Sequence, residues 1–178
     1  MKKAIIIGCP GSGKSTFAAA LREKTGLPLH HLDMMFWNAD KTTVERGVFL
    51  ERLSAVMSLD EWIVDGNYGS TMELRLQACD AVFFLDYPLS VCLRGIEERR
   101  GMARSDMPWT ETDEDKGFVD YVKSFNEKER PKILELLEKH RDKDITVFHS
   151  REEAEVYLNG EKYDFANKTR HFASLERG

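Results

Sequence analysis

Five short apolar runs, each of strand length and each separated from the next by a stretch suited to a helix, constrain the fold of this chain most strongly. Several of the runs are apolar at successive positions rather than alternating, which is typical of parallel strands with helices packed on both faces. Strands that alternate with helices predict an α/β fold with right-handed crossover connections. The runs are Lys3 to Ile7, Leu29 to Leu32, Trp62 to Val64, Ala81 to Leu85 and Ile145 to Phe148.

The chain has 178 residues, 42% of them hydrophobic and 32% charged, with a formal net charge of -5. At about 150 residues per domain, this length predicts one domain over residues 1–160, followed by a charged tail at 161–178. The acidic balance does not favour direct nucleic-acid binding. No apolar run approaches the roughly 20 residues of a membrane span, and the first is too short for a signal peptide, so we expect a cytoplasmic protein without a membrane partner.

Local signals indicate where helices begin. Thr42 with Glu45, and Ser150 with Glu153, have the spacing of capping boxes at helix N-termini. Pro131 interrupts a helical pattern, and we expect the helix to kink or restart there.

A glycine-rich segment directly follows the first predicted strand and opens a helix at residues 16–24. Its sequence, Gly8-Cys9-Pro10-Gly11-Ser12-Gly13-Lys14-Ser15, fits GxxxxGK[ST] at every fixed position. Glycines let backbone N–H groups approach phosphate oxygens at a helix N-terminus, where anions are favoured. We therefore expect the segment to bind ATP, with Lys14 reaching the β and γ phosphates and the Ser15 hydroxyl holding Mg²⁺. The candidate nucleotide-binding residues are Gly8, Gly11, Ser12, Gly13, Lys14, Ser15 and Thr16.

Carboxylates follow three of the predicted strands, at the sheet edge where α/β folds bind their ligands. Asp65 resembles a Walker B carboxylate and is a candidate Mg²⁺ ligand beside Ser15. Asp33 is a candidate contact to Mg²⁺ or to the substrate. Asp86 precedes Tyr87-Pro88, which favours a role as a helix cap or loop anchor.

Several arginines lie near the end of the helix that follows the fourth predicted strand. Arg99, Arg100 and Arg104 are candidates for the positive charge that phosphoryl transfer needs, although basic residues also favour any helix C-terminus. They adjoin a polar, acidic segment at residues 101–116, which we interpret as a mobile lid or a plain loop.

Together these motifs resemble the adenylate kinase-like P-loop kinases, and within that group the DNA topology modulation protein (FlaR-type) family. The resemblance covers about residues 3 to 158. It implies a three-layer P-loop NTPase fold with a five-stranded parallel sheet in the order 2-3-1-4-5, and the use of ATP with Mg²⁺. The narrower likeness depends on Leu32-Asp33 followed by Trp37, on Trp62-Ile63-Val64-Asp65-Gly66-Asn67-Tyr68 with Arg75-Leu76 and Asp80, and on Arg99-Arg100.

The chain departs from adenylate kinases after its third strand. Those enzymes have Asp-Gly-Phe-Pro-Arg there, whereas Asp65-Gly66 is followed here by Asn67-Tyr68-Gly69, without the arginine that would hold a nucleoside monophosphate. Arg75 is the candidate replacement. Arg104-Ser105-Asp106 loosely resembles the arginine-containing lid motif.

The leading functional hypothesis is an enzyme that transfers the ATP γ-phosphoryl group to a small acceptor: a nucleotide, a nucleoside or a related metabolite. One alternative is a regulatory or DNA-associated ATP-binding protein, as the family name implies. Another is a small-molecule kinase of the shikimate or gluconate type, in which Asp33 contacts the acceptor.

Overall fold

A single parallel sheet organises the protein in the computed structural model, which describes residues 1–110 and 115–160. The sheet has five strands in the order β2-β3-β1-β4-β5, so the predicted fold and strand order are confirmed. In register, Ile6 of β1 lies opposite Asp65 of β3 and Phe83 of β4. The strands are β1 (Lys3–Gly8), β2 (Leu29–His31), β3 (Trp62–Asp65), β4 (Ala81–Leu85) and β5 (Asp144–Phe148).

Helices cover both faces of the sheet. Because of this, the three central strands are almost completely buried, and residues 4–7 of β1 have no exposed surface at all. The continuously apolar runs of the sequence are the result of burial on both sides. The helices are α1 (Lys14–Thr25), α2 (Leu32–Phe36), α3 (Arg46–Met57), α4 (Gly69–Ala78), α5 (Leu89–Arg99), α6 (Lys116–Lys128), α7 (Arg130–Lys139) and α8 (Arg151–Asn159).

Strand β2 ends one residue earlier than its apolar run predicts. Leu32 is the first residue of α2 and is fully buried, so Asp33 lies in the first turn of a helix instead of directly after a strand. An acidic side chain in that position is favoured by the partial positive charge of the helix N-terminus. The side chain still lies at the carboxyl edge of the sheet.

The capping predictions had different outcomes. At α8 the Ser150 hydroxyl accepts a hydrogen bond from the Glu153 N–H, which confirms the predicted cap. The prediction at Thr42 was wrong, because α3 begins only at Arg46. The carboxylate of Asp40 accepts both the N–H and the O–H of Thr42 and holds it in a turn.

The restart at Pro131 is confirmed, since α6 ends at Lys128 and α7 carries the proline in its first turn. Residues 101–110 of the polar segment form no helix or strand. Residues 111–114 of the same segment and the predicted tail at 161–178 lie outside the described residues. Within residues 1–110 and 115–160, no helix combines the length and the apolar character that crossing a membrane requires.

Candidate functional site

A deep cleft opens at the carboxyl edge of the sheet, and nearly all of the site residues expected from the sequence line it. The loop after β1 forms its floor, α2 and the loop after β3 form one wall, and the end of α5 with the polar segment forms another. The sequence-predicted residues that line the cleft are Gly11, Ser12, Gly13, Lys14, Ser15, Thr16, Asp33, Asp65, Arg99, Arg100 and Arg104.

The glycine-rich loop of residues 8–15, called here the phosphate loop after its predicted role, is packed tightly against α5. Gly11 has a φ of +82°, and a Cβ at this position would collide with the carbonyl of Cys92. A Cβ on Gly95 of α5 would in turn collide with the Gly11 carbonyl. The absence of a side chain at Gly95 therefore lets α5 approach the loop this closely. Sequence reasoning missed this residue, because a lone glycine in a helix carries no local signal of a close approach.

Gly8 lies beneath the loop rather than on the cleft surface. Its N–H donates to Asn67 Oδ1 (3.0 Å), and its carbonyl accepts from Asn67 Nδ2 (2.7 Å). Asn67 thus joins the loop after β3 to the phosphate loop. Another polar atom of the loop, the Ser12 hydroxyl oxygen, is buried and has no hydrogen-bond partner among the described residues.

Lys14 folds back over its own loop. Its Nζ donates to the carbonyls of Gly8 (3.0 Å) and Cys9 (3.2 Å). Burial lowers the pKa of the Lys14 ammonium, and the carboxylates of Asp65 and Asp33 oppose that shift. The ammonium therefore lies at the floor of the cleft with acidic side chains close to it.

Asp65 connects β3 to the phosphate loop. Its Oδ2 accepts the Ser15 hydroxyl at 2.7 Å, and its Oδ1 lies 2.7 Å from Nδ1 of His31. Burial alone would lower the pKa of His31, but the hydrogen bond and charge of Asp65 raise it overall. His31 was not expected from the sequence. It ends the edge strand β2, which pairs with β3 so that His31 lies opposite Asp65.

A second carboxylate reaches Ser15 from the polar segment. Asp106 Oδ2 lies 2.5 Å from Ser15 Oγ, and the same carboxylate accepts two bonds from the Arg104 guanidinium. Burial opposes ionisation, but the hydrogen bonds from Arg104 and Ser15 hold the pKa of Asp106 down to about 2. Sequence reasoning treated the Arg-Ser-Asp triplet only as a loose lid motif and did not assign Asp106 to the site.

Asp33 is held by a tyrosine from the loop after β3. The Tyr68 hydroxyl donates to Asp33 Oδ1 at 2.6 Å. Burial raises the pKa of Asp33, and the Tyr68 bond and the charge of Lys14 offset this only in part. Tyr68 itself has a φ of +36°, in the left-handed region that is uncommon for a residue with a side chain.

Arg75 does not replace the missing arginine of adenylate kinases, which corrects the sequence-based expectation. Its side chain has no exposed surface. The guanidinium donates to the carbonyls of Gly66, Asn67 and Tyr68, which are the residues of the loop after β3. Arg75 is therefore a structural support of the cleft wall and not a group that faces a ligand.

Asp86 is a loop anchor, as one interpretation of the sequence predicted. Its two carboxylate oxygens each accept from the Arg130 guanidinium at 2.8 Å, which ties the end of β4 to α7. Asp86 does not line the cleft.

The other two arginines take separate positions on the cleft wall. Arg100 pairs with Glu97 on the surface of its own helix at 2.8 Å. The Arg99 guanidinium lies 5.6 Å from the ring centroid of Phe118, and its charge lowers the pKa of Lys14. Of the three predicted arginines, Arg104 is thus the one whose described contacts reach the Ser15 cluster.

Comparison with solved structures shows the fold alone. Shikimate kinase from Bacteroides thetaiotaomicron aligns with a TM-score of 0.53 and 18% identity, covering 89% of this chain and 95% of that one. Shikimate kinase from Aquifex aeolicus aligns with a TM-score of 0.53 and 19% identity, covering 89% of this chain and 92% of that one. Shikimate kinase from Acinetobacter baumannii in complex with shikimate aligns with a TM-score of 0.57 and 14% identity, covering 99% of this chain and 95% of that one. No protein-family model and no curated protein sequence matches the chain.

Proposed function

We propose that this protein is a P-loop kinase that transfers the γ-phosphoryl group of ATP to a hydroxyl of a small acceptor. The observation that carries the proposal is the 2.7 Å hydrogen bond between Ser15 of the phosphate loop and Asp65 of β3. It brings the hydroxyl and the carboxylate of the two nucleotide-binding motifs together beside Lys14. The likeness in fold to shikimate kinases supports the same reading.

The residues fit ATP and Mg²⁺. The loop offers backbone donors at the start of α1, the Lys14 ammonium and the unpartnered Ser12 hydroxyl. Ser15 and Asp65 offer hard oxygen atoms, which Mg²⁺ prefers. Among the described residues, no group of three or more His, Cys, Asp or Glu side chains forms a metal site. That suits Mg²⁺, which takes one or two protein oxygens and completes its shell with phosphates and water.

Asp33 is our proposed catalytic base. Tyr68 occupies its Oδ1, while Oδ2 has no hydrogen-bond partner among the described residues and can accept an acceptor hydroxyl. The raised pKa of Asp33, caused mainly by burial, makes it a better base than an exposed carboxylate. In the transfer, the acceptor oxygen bonds to the γ phosphorus, the bond to the bridging oxygen breaks, and the hydroxyl proton passes to Asp33. Bound Mg²⁺ would neutralise charge on the phosphates.

The arginines and the polar segment complete the proposed site. Lys14, Arg99 and Arg104 supply positive charge on the cleft side where phosphates would lie, and Arg100 adds to it from the rim. We propose that residues 101–116 act as a lid that excludes water, because a kinase open to water would hydrolyse ATP. We also propose that residues 1–160 form one catalytic domain, and that the narrower likeness to the DNA topology modulation family reflects common descent.

An ATP-consumption screen with detection of the phosphorylated product tests the proposal. The panel holds nucleosides, nucleoside monophosphates and hydroxy acids, and we expect Mg²⁺-dependent transfer to one of these classes. Asp33→Asn should lower the rate at least a hundredfold, since general base catalysis contributes about 10²–10⁴-fold. Asp40→Asn, which changes an exposed aspartate of the neighbouring turn, is the matched control. A wild-type protein that binds no ATP would overturn the proposal.

A further inference from the structure

We infer that the acceptor is an uncharged alcohol with a flat ring, of the nucleoside class, and not a nucleoside monophosphate or a hydroxycarboxylic acid. The inference rests on the proposed function and concerns the cleft wall made by α2, Trp37 and the loop after β3. This wall, called here the acceptor wall, offers aromatic faces and carboxylates. It offers no arginine toward the cleft among the described residues.

The first observation is the placement of Arg75, the one arginine in the helix that follows this loop. Its guanidinium is fully buried and hydrogen-bonded to the three carbonyls of residues 66–68. Burial lowers the pKa of Arg75 to about 10. To reach an anion in the cleft, the guanidinium would have to abandon these carbonyls, and those of Gly66 and Asn67 would be left without another hydrogen-bond donor among the described residues.

The second observation is the sign of the charge around Asp33. The carboxylates of Asp65 and Asp106 both raise the pKa of Asp33, so three acidic groups share this end of the cleft. Arg104 is already paired with Asp106 through two hydrogen bonds. Lys41, at the rim of the cleft beyond the acceptor wall, is exposed, and there its attraction to an anion is weak. The charge of Lys14 opposes these carboxylates, but in the proposed function the ATP phosphates engage that ammonium. A phosphate or carboxylate on the acceptor would therefore meet the three acidic groups without a cation of its own on the acceptor wall.

The third observation is a set of aromatic rings on the acceptor wall and directly opposite it. Trp37 and Trp109 meet edge to face with ring centroids 4.9 Å apart, and Trp109 belongs to the polar segment on the other side of the cleft. Phe36 contacts both Trp37 (5.1 Å) and Tyr68 (5.0 Å). All four side chains line the cleft and are only partly buried.

These rings favour a flat acceptor. Partly open aromatic faces stack well on planar rings. The hydroxyl of Tyr68 connects the ring cluster to Asp33, so a ring bound there places its attached alcohol near the carboxylate. The acceptor wall thus differs in chemistry from a site for a hydroxycarboxylate such as shikimate.

Binding measured in the presence of a saturating, non-hydrolysable ATP analogue tests the inference, because the analogue fills the nucleotide site. Tryptophan fluorescence and calorimetry would compare purine and pyrimidine nucleosides with their own 5′-monophosphates, and with shikimate and gluconate. We expect at least one nucleoside to bind ten times more tightly than its monophosphate. Trp37→Ala should weaken that binding tenfold or more, while Trp37→Phe restores most of it and Lys41→Met leaves it unchanged.

The outcomes separate this inference from the proposed function. If the analogue binds and a monophosphate or a hydroxy acid is the preferred acceptor, the inference is wrong and the kinase proposal stands. Failure of every nucleoside to bind the analogue-loaded protein also overturns the inference. If the analogue itself does not bind, the kinase proposal fails first.

Discussion

Asp106 Oδ2 lies 2.5 Å from the Oγ of Ser15, a residue 91 positions away in the chain. The same hydroxyl lies 2.7 Å from Asp65 Oδ2. A hydroxyl has one proton to donate, and the pKa of Asp106 is held at about 2 by Arg104 and Ser15 against the effect of burial, so that carboxylate is ionised at neutral pH. Two carboxylates around one hydroxyl form an arrangement that a divalent cation would satisfy.

Asp106→Asn should therefore weaken the binding of Mg²⁺ in the presence of ATP. We expect the Mg²⁺ concentration at half-saturation to rise about tenfold, the lower end of the effect of removing a group that supports a metal site. Calorimetric titration of Mg²⁺ into the protein with ATP measures it. Asp115→Asn, which alters the cap of α6 at the end of the same segment, is the control. An unchanged Mg²⁺ requirement would leave Asp106 with a purely structural role.

Lys14→Met should reduce ATP affinity without loss of stability. A charge-assisted contact to phosphate is worth about 1.5–3 kcal/mol, or roughly ten- to a hundredfold in affinity. The ammonium gives up hydration on burial, as its lowered pKa indicates, so its removal should not destabilise the fold. Calorimetry and thermal unfolding of both proteins check the two parts. Equal ATP affinity in the two proteins would exclude Lys14 from phosphate binding.

Arg75→Met should destabilise the protein by on the order of 3 kcal/mol, because the carbonyls of Gly66 and Asn67 lose their side-chain donor. Denaturant unfolding gives the value. Arg52→Met is the matched control: Arg52 donates to one exposed carbonyl, that of Met35, and its loss should cost less than about 1 kcal/mol. If Arg75 instead held an acceptor phosphate, Arg75→Met would raise the KM for the acceptor and leave stability near that of the control.

Arg104→Lys should lower turnover roughly tenfold although the charge is kept, since an ammonium cannot reproduce the two-pronged contact of a guanidinium. The polar segment of this variant should also be cut faster by trypsin, because the pair with Asp106 that fastens it to Ser15 is weakened. Arg141→Lys changes an exposed surface pair with Glu138, away from the cleft, and should match wild type in both assays. Unchanged turnover together with no protection of the segment by ATP would identify it as a plain surface loop.

Local patterns in the sequence determined the sheet and the phosphate loop. A strand that is buried on both faces can be predicted from its residues alone, because its side chains must be apolar whichever helices cover them. Gly8 to Ser15 is one continuous segment, so its glycines, lysine and serine keep their relative positions in any fold that contains the strand and helix around it. The failed cap at Thr42 marks the limit of such patterns, because a nearer acceptor, Asp40, competed for the same hydrogen-bonding groups.

Only the tertiary structure decided which distant side chains meet. His31 contacts Asp65 because β2 pairs with β3, and Asp106 reaches Ser15 because the chain crosses back over the cleft after α5. Arg75 is the opposite case. The sequence motif made it a candidate phosphate ligand, whereas the fold surrounds its guanidinium with backbone carbonyls. A charged or polar side chain binds whatever partner the packed chain brings within about 3 Å, and that partner is not encoded next to it in sequence.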